Sequence, residues 1–160
     1  MSNSVNTGDT EEPLLHSVLE AAMARLREVL YEVSRDGFPG LRARHYRLLS
    51  FIPDGGVRVS DISDVSGLTK QALAQTLALV RDQGCVDVVD DPADRRARLV
   101  VLTDRGREAL AAVRVRTAAL ELQWAQQVGA RRYAVARSVL SEIAGGPGSP
   151  GTASRGAAAP

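Results

Sequence analysis

The sequence predicts a mainly α-helical protein interrupted once, past its middle, by a small β-hairpin. Three observations predict it. Near both ends, apolar residues recur at spacings of three and four over long stretches, the rhythm of one face of a helix. Between residues 60 and 83, two shorter stretches are parted by Ser66-Gly67-Leu68, where glycine accepts the left-handed backbone of a sharp turn. Directly afterwards, Cys85 to Val89 and Leu99 to Leu102 are β-branched or apolar runs around a Pro- and Asp-containing segment, which reads as two strands and their connection.

The elements follow in order. Residues 1–11 are polar and are expected to form a disordered tail. A long helix begins near Pro13, whose missing donor does no harm in a first turn. Leu15, Leu19, Ala22, Leu26, Val29 and Val33 lay a coiled-coil-like seam along it. Ser60 suits an N-cap, with Asp61 near the positive end of the helix dipole, and Ile62 and Val65 supply the inward face of a two-turn helix. Thr69 caps the next helix, expected to reach about Gln83 and stop at Gly84.

At about 100° per residue, Leu73, Thr76, Leu77 and Val80 share one side of that helix, and Gln71, Ala74, Gln75 and Ala78 the other. A Gln/Ala stripe suits a DNA major groove, because Gln bonds bidentately to adenine and Ala meets a thymine methyl while letting the helix sit close. Lys70, in the first turn, adds a phosphate contact beside free backbone N–H groups. The same stripe also suits a solvated face, since polar stripes are common on surface helices.

The hairpin tip is Asp90-Asp91-Pro92-Ala93-Asp94-Arg95-Arg96. Two adjacent arginines there can reach the DNA backbone or enter a narrow minor groove. Asp94 reads as the internal partner that fixes one guanidinium. A solvated charged turn is the plain alternative, but the pair follows a recognition-helix candidate at wing distance, which favours DNA. Helix, turn, helix, strand, charged loop, strand is the order of a winged helix-turn-helix.

After the hairpin, Thr103 caps a helix from Asp104 along which Leu110, Val113, Thr117, Leu120 and Trp124 keep the apolar rhythm. Gly129 interrupts it, and Tyr133, Ala136, Val139, Leu140 and Ile143 make a last amphipathic helix. So small a winged domain cannot cover both terminal seams, so mutual burial in a homodimer is expected. Packing of the first helix against the last within one chain is the alternative. Residues 145–160 are rich in Gly, Pro, Ala and Ser and are expected to be a second disordered tail, leaving residues 12–144 as one folded unit.

Composition sets limits. A chain of 160 residues is one domain's worth. Aromatics at 4% imply a core of Leu, Val, Ala and Ile. Net charge is only +1, so any basicity used for nucleic acid must be local. A single cysteine excludes an intramolecular disulfide, and no apolar run is long enough to span a membrane. Together with a polar, acidic start that is no signal peptide, this makes the cytoplasm the expected compartment. Two histidines and one cysteine are too few for a metal cage. With no nucleophile elbow, P-loop or dinucleotide fingerprint, no enzyme and no cofactor are expected.

Over about residues 12 to 144 the sequence resembles the MarR (multiple antibiotic resistance regulator) family of bacterial transcription factors. The most specific part is Asp91-Pro92-Ala93-Asp94-Arg95-Arg96-Ala97, followed by Leu102-Thr103-Asp104-Arg105-Gly106-Arg107. Gly67-Leu68-Thr69-Lys70-Gln71-Ala72 resembles the family's turn into its recognition helix, and Leu41 to Ile52 the helix before it. The resemblance implies a homodimer built from both terminal segments, its two winged domains on a pseudo-palindrome of double-stranded DNA. Thr69, Lys70, Gln71, Ala74 and Gln75 would then lie at the major groove and Arg95 and Arg96 at the wing tip, with Arg96 in the minor groove and Asp94 as its support.

The chain departs from the family's pattern on the wing. Val88 and Val89 stand where members often carry Arg, Asp87, Asp90 and Asp91 make that side acidic, and Gln75 is a neutral amide at a Ser- or Arg-rich position. Each change removes phosphate attraction, which predicts modest affinity. The resemblance also implies an effector pocket between dimer helices and winged domain, often holding lipophilic, anionic aromatic compounds. Tyr31, Phe38, Arg42, His45 and Trp124 are the residues to test for a phenolic ligand. A repressor relieved by such a ligand is the leading expectation. The alternatives are a winged-helix protein-interaction module with weak or lost DNA binding, and a redox sensor acting through Cys85, although free Cys is among the most buried residue types.

Overall fold

In the computed structural model, residues 12–94 and 97–145 are described, except for the side chain of Val65. Six helices and three strands follow one another as α1 (Leu15–Gly37), α2 (Ala43–Ser50), β1 (Val57–Arg58), α3 (Val59–Ser66), α4 (Lys70–Asp82), β2 (Val86–Asp90), β3 (Arg98–Leu102), α5 (Asp104–Val128) and α6 (Ala130–Ala144). The class is the expected one, mostly helical with a small antiparallel sheet.

Local chemistry sets the boundaries. The Ala72 N–H donates to Thr69 Oγ1 at 3.2 Å and the Gly106 N–H to Thr103 Oγ1 at 3.1 Å, so both threonines cap as their sequence position predicts. Gly67 closes α3 at φ +66°, a conformation costly for any residue with a Cβ. Two expectations need correction. Arg58, not Ser60, precedes α3, and Ser60 Oγ donates to Asp61 Oδ1 at 3.1 Å instead of capping a backbone N–H. Pro13 lies outside α1, which starts at Leu15 without a side-chain cap.

The sheet runs β1-β3-β2. Val86 to Asp90 pair antiparallel with Leu102 to Arg98, and Val57 and Arg58 with Val100 and Leu99. The two-residue β1 has no counterpart in the sequence reading, because two residues cannot display a period. Leu48, Leu49, Ile62, Leu73, Val80, Val86 and Val100 form the centre of one core, in which α3 and α4 pack on the sheet and α2 packs against α4 and α5. The start of α5 presses on the strands so closely that a Cβ on Gly106 would overlap the Cys85 carbonyl.

The terminal helices are another matter. Toward its C-terminal end α1 buries Val33 and Ser34, and Arg116 of α5 ties to Glu32 at 3.5 Å and Asp36 at 3.0 Å. Leu26 and Val29 are half-buried, and nearer the N-terminus the seam opens outward, Leu15 being 72% exposed. No residue of α6 is buried, and Val135, Val139, Leu140 and Ile143 all face solvent in the single chain.

Candidate nucleic-acid interface

Helix α4 is anchored by one face. Leu73, Thr76 and Val80 are buried, and the Thr76 hydroxyl is satisfied by donating to the Ala72 carbonyl at 2.7 Å, so burying it leaves no polar group unpaired. With that face fixed, Lys70, Gln71, Ala74 and Gln75 are exposed together. The Thr69 oxygen accepts the cap hydrogen bond, which leaves its own hydroxyl hydrogen available for a groove contact.

The wing turn is held from within. The Asp91 and Ala97 N–H groups donate to the carbonyls of Ala97 and Asp94 at 3.0 and 2.8 Å, and the Ala93 N–H donates to Asp91 Oδ1 at 2.8 Å. The other Asp91 oxygen accepts from Arg58 Nη2 at 2.7 Å and Nε at 3.1 Å. The Arg58 guanidinium, then the Ala93 amide, hold the Asp91 carboxyl below the usual carboxylate range. Asp91 is only 6% exposed, so it is the buried strut of the wing, not part of an acidic outer face. Asp87 and Asp90 are exposed, and Asp90 pairs with Arg98 at 3.5 Å. Sequence reasoning passed over Arg58, although an isolated basic residue just before the first helix of the pair was the available signal.

Arg95 and Arg96 lie outside the described residues. Asp94, read as their support, approaches Arg58 Nη2 at 3.9 Å, so it belongs to the same acid-and-arginine cluster as Asp91.

The five residues suggested for an effector do not share one place. Tyr31 and Arg42 line a cleft of about 500 Å³ together with Arg27, Leu30, Arg35 and Leu41. Arg27, Tyr31 and Arg35 are spaced by four along α1, which places them on one face; that was the missed signal. Phe38 is buried, with the Arg105 guanidinium 5.1 Å above its ring. Trp124 lines a different recess with Ala21, Arg25 and Gln123.

His45 is buried as well, its Nδ1 accepting the Arg42 N–H at 2.9 Å to close the first turn of α2. A neutral ring with Nδ1 so used carries its proton on Nε2, so the approach of Arg44 Nε at 3.1 Å brings two donors together and adds no hydrogen bond. Burial, then the charges of Arg44 and Arg42, keep the pKa of His45 below its ordinary value.

Cys85 is fully buried, and burial pushes its thiol up. A thiol so placed is unreactive, which removes the structural basis for redox sensing. Among the described residues no His, Cys, Asp and Glu side chains gather to hold a metal ion, and no helix is long and apolar enough to cross a membrane.

A family profile described as MarR family matches residues 40–97. No curated protein sequence matches the chain significantly. Among solved structures, the transcriptional repressor CouR bound to a 23-mer DNA duplex is 23% identical, covers 89% of this chain and 99% of its own, and superposes with a TM-score of 0.67. CouR from Rhodococcus jostii RHA1 bound to p-coumaroyl-CoA is 21% identical over 83% of this chain and 93% of its own, with a TM-score of 0.64. A crystal structure of MarR is 17% identical over 82% and 96%, with a TM-score of 0.67.

Proposed function

From a chain that is MarR-type over residues 40–97 and has the fold of MarR-family transcriptional regulators from α1 to α6, we infer a sequence-specific DNA-binding regulator, a homodimeric repressor relieved by a small effector. The observation that carries this is the outward stripe of α4. Lys70, Gln71, Ala74 and Gln75 are exposed together on a helix whose other face is locked in the core beside a braced wing. The stripe enters the major groove, with Thr69 at its mouth, and Arg95 and Arg96 reach the backbone or minor groove. Dimerisation is supported by the outward apolar faces of α1 and α6, which one chain leaves uncovered and which a second copy would bury.

The effector reading rests on the cleft beside Tyr31 and Arg42. Arg27 and Arg42 have no carboxylate partner among the described residues, so an anionic group is the complement, and Tyr31, Leu30 and Leu41 offer apolar surface to an aromatic one. The CouR structure with p-coumaroyl-CoA sets a precedent for the fold. Such a ligand acts by favouring a spacing of the two recognition helices other than the half-site separation of about 34–36 Å.

The test is fluorescence anisotropy with DNA from immediately upstream of the protein's own gene, titrated across salt. Binding that exceeds random DNA, weakens linearly in log salt and saturates at one dimer per site is expected. Gln71→Ala or Gln75→Ala should change sequence preference, and Arg96→Ala should cost about 1–3 kcal/mol on all sequences. Indifference to salt and sequence would overturn the reading in favour of a protein-interaction module.

A further inference from the structure

We propose that Arg44 and Arg47 of α2 form a second backbone-phosphate contact, at the opposite end of α3 from the wing; this rests on the DNA-reading function inferred above. The two arginines stand three apart on one helix, so they share a face, and both are exposed. With Leu48, Phe51, Ser66 and Leu68 they border a recess of about 60 Å³. Ser66 and Leu68 belong to the turn that delivers the chain into α4, where the Leu68 N–H donates to Ser66 Oγ at 3.3 Å. The two guanidiniums therefore flank the approach to Thr69 and Lys70.

Among the described residues, neither arginine is neutralised by a carboxylate. Arg58, Arg98, Arg107, Arg116 and Arg137 each meet a carboxylate, whereas neither Arg44 nor Arg47 does among the described residues. The Arg47 guanidinium lies 5.8 Å from the Phe51 ring centroid, a contact that restricts the side chain without neutralising it. A recess this small holds no organic ligand, so the guanidiniums themselves are what the surface offers. Their planar forks match phosphate oxygens.

The spacing fits a duplex. Helix α3 has 8 residues, about 12 Å at 1.5 Å per residue. Its first end is tied to the wing through Arg58 and Asp91, and its last residue, Ser66, lies with Arg44 and Arg47. A major groove is about 12 Å wide. The wing and the α2 arginines thus flank opposite ends of a helix about as long as the groove is wide, as contacts to the two backbones bounding the groove entered by α4 would. The arginines also restore attraction that the valines at Val88 and Val89 withhold.

Phosphate contacts need no operator, so the probe is a random-sequence duplex, followed by anisotropy from about 50 to 200 mM salt. Each phosphate contributes about 0.9 to the slope of log affinity against log salt. In a dimer, Arg44→Ala or Arg47→Ala should each flatten that slope by about 2 and weaken binding several-fold, while Arg47→Lys keeps most of it. Arg131→Ala, exposed on α6, should leave the slope alone. Both positions are exposed, and unchanged unfolding midpoints will show that the fold is intact. Unchanged slopes in both α2 variants, with the unmodified protein binding normally, would overturn the inference and leave the DNA reading standing. No salt-dependent binding by the unmodified protein would overturn both.

Discussion

Thr69 holds two jobs that one set of substitutions can pull apart. Its oxygen accepts the Ala72 N–H at 3.2 Å, and its exposed position at the first turn of α4 puts it at the mouth of the inferred groove contact. Removing an N-cap hydroxyl costs about 1 kcal/mol, which for a chain of this size lowers the thermal midpoint by about 2–4 °C. Thr69→Ala should show that shift, and Thr69→Ser should not. Thr69→Asp keeps an acceptor and favours the helix dipole, so its midpoint should equal or exceed that of the unmodified protein. On DNA the order reverses. A carboxylate about 4 Å from a phosphate costs about 1 kcal/mol in water. Two half-sites make that about 2 kcal/mol, or about thirtyfold in Kd. Calorimetric unfolding and anisotropy on the same three variants make the comparison. Thr69→Asp binding as tightly as the unmodified protein would place the N-terminus of α4 away from DNA. An unmoved midpoint in Thr69→Ala would show that the cap contributes nothing.

Three further outcomes follow from the interior. Gly106→Ala should destabilise by at least about 1–3 kcal/mol in urea unfolding, because its Cβ meets the Cys85 backbone carbonyl, and a variant of ordinary stability would show that α5 can shift away freely. The pKa of His45 is depressed in the fold relative to its ordinary 6.5. Its contribution to stability is therefore complete above about pH 6.5 and lost as pH falls from there through the folded value. His45→Gln, which keeps an acceptor and cannot titrate, should flatten that part of a urea-midpoint-against-pH curve; an unaltered slope would assign the loss to other groups. Cys85 should resist a thiol reagent in the native protein and react promptly in denaturant, and fast native labelling would return the redox reading to consideration.

Much of this fold is written in short-range chemistry, and the legible parts share that property. Thr69 and Thr103 announce their helices because capping depends on residues three apart. The inward set Leu73, Thr76 and Val80 follows from helical period alone. What escaped is long-range. Arg58 and Asp91 lie 33 residues apart, and nothing in the local pattern of either says that they meet, so Asp91 read as surface acid. His45 and Phe38 lie away from the cleft for a related reason. Polarity and aromaticity suggest a ligand site, but the core took the Phe38 ring, and the N-terminal turn of α2 took His45 Nδ1. The cleft itself is set by how α1 meets the segment before α2, which no single-helix periodicity encodes.

That meeting point bears on how an effector would be felt. Arg105, at the start of α5, donates to the Gln83 carbonyl at 3.0 Å and the Gly37 carbonyl at 3.3 Å, and covers the Phe38 ring. It thus holds the C-terminal ends of α1 and α4 to the same side chain. The chain from Phe38 runs straight into Pro39, Gly40, Leu41 and Arg42 on the wall of the cleft, and the Gln83 side chain lies where a Cβ on Gly40 would touch it. A ligand that moved this wall would therefore act on groups already bonded to the end of α4, without needing to reach the exposed stripe proposed to face DNA. Differential affinity for two wall positions is all the physics requires, since a ligand shifts an equilibrium only by the difference between its affinities for the two states. Energy for that difference is available where Arg27 and Arg42 lie in the cleft without a carboxylate partner among the described residues.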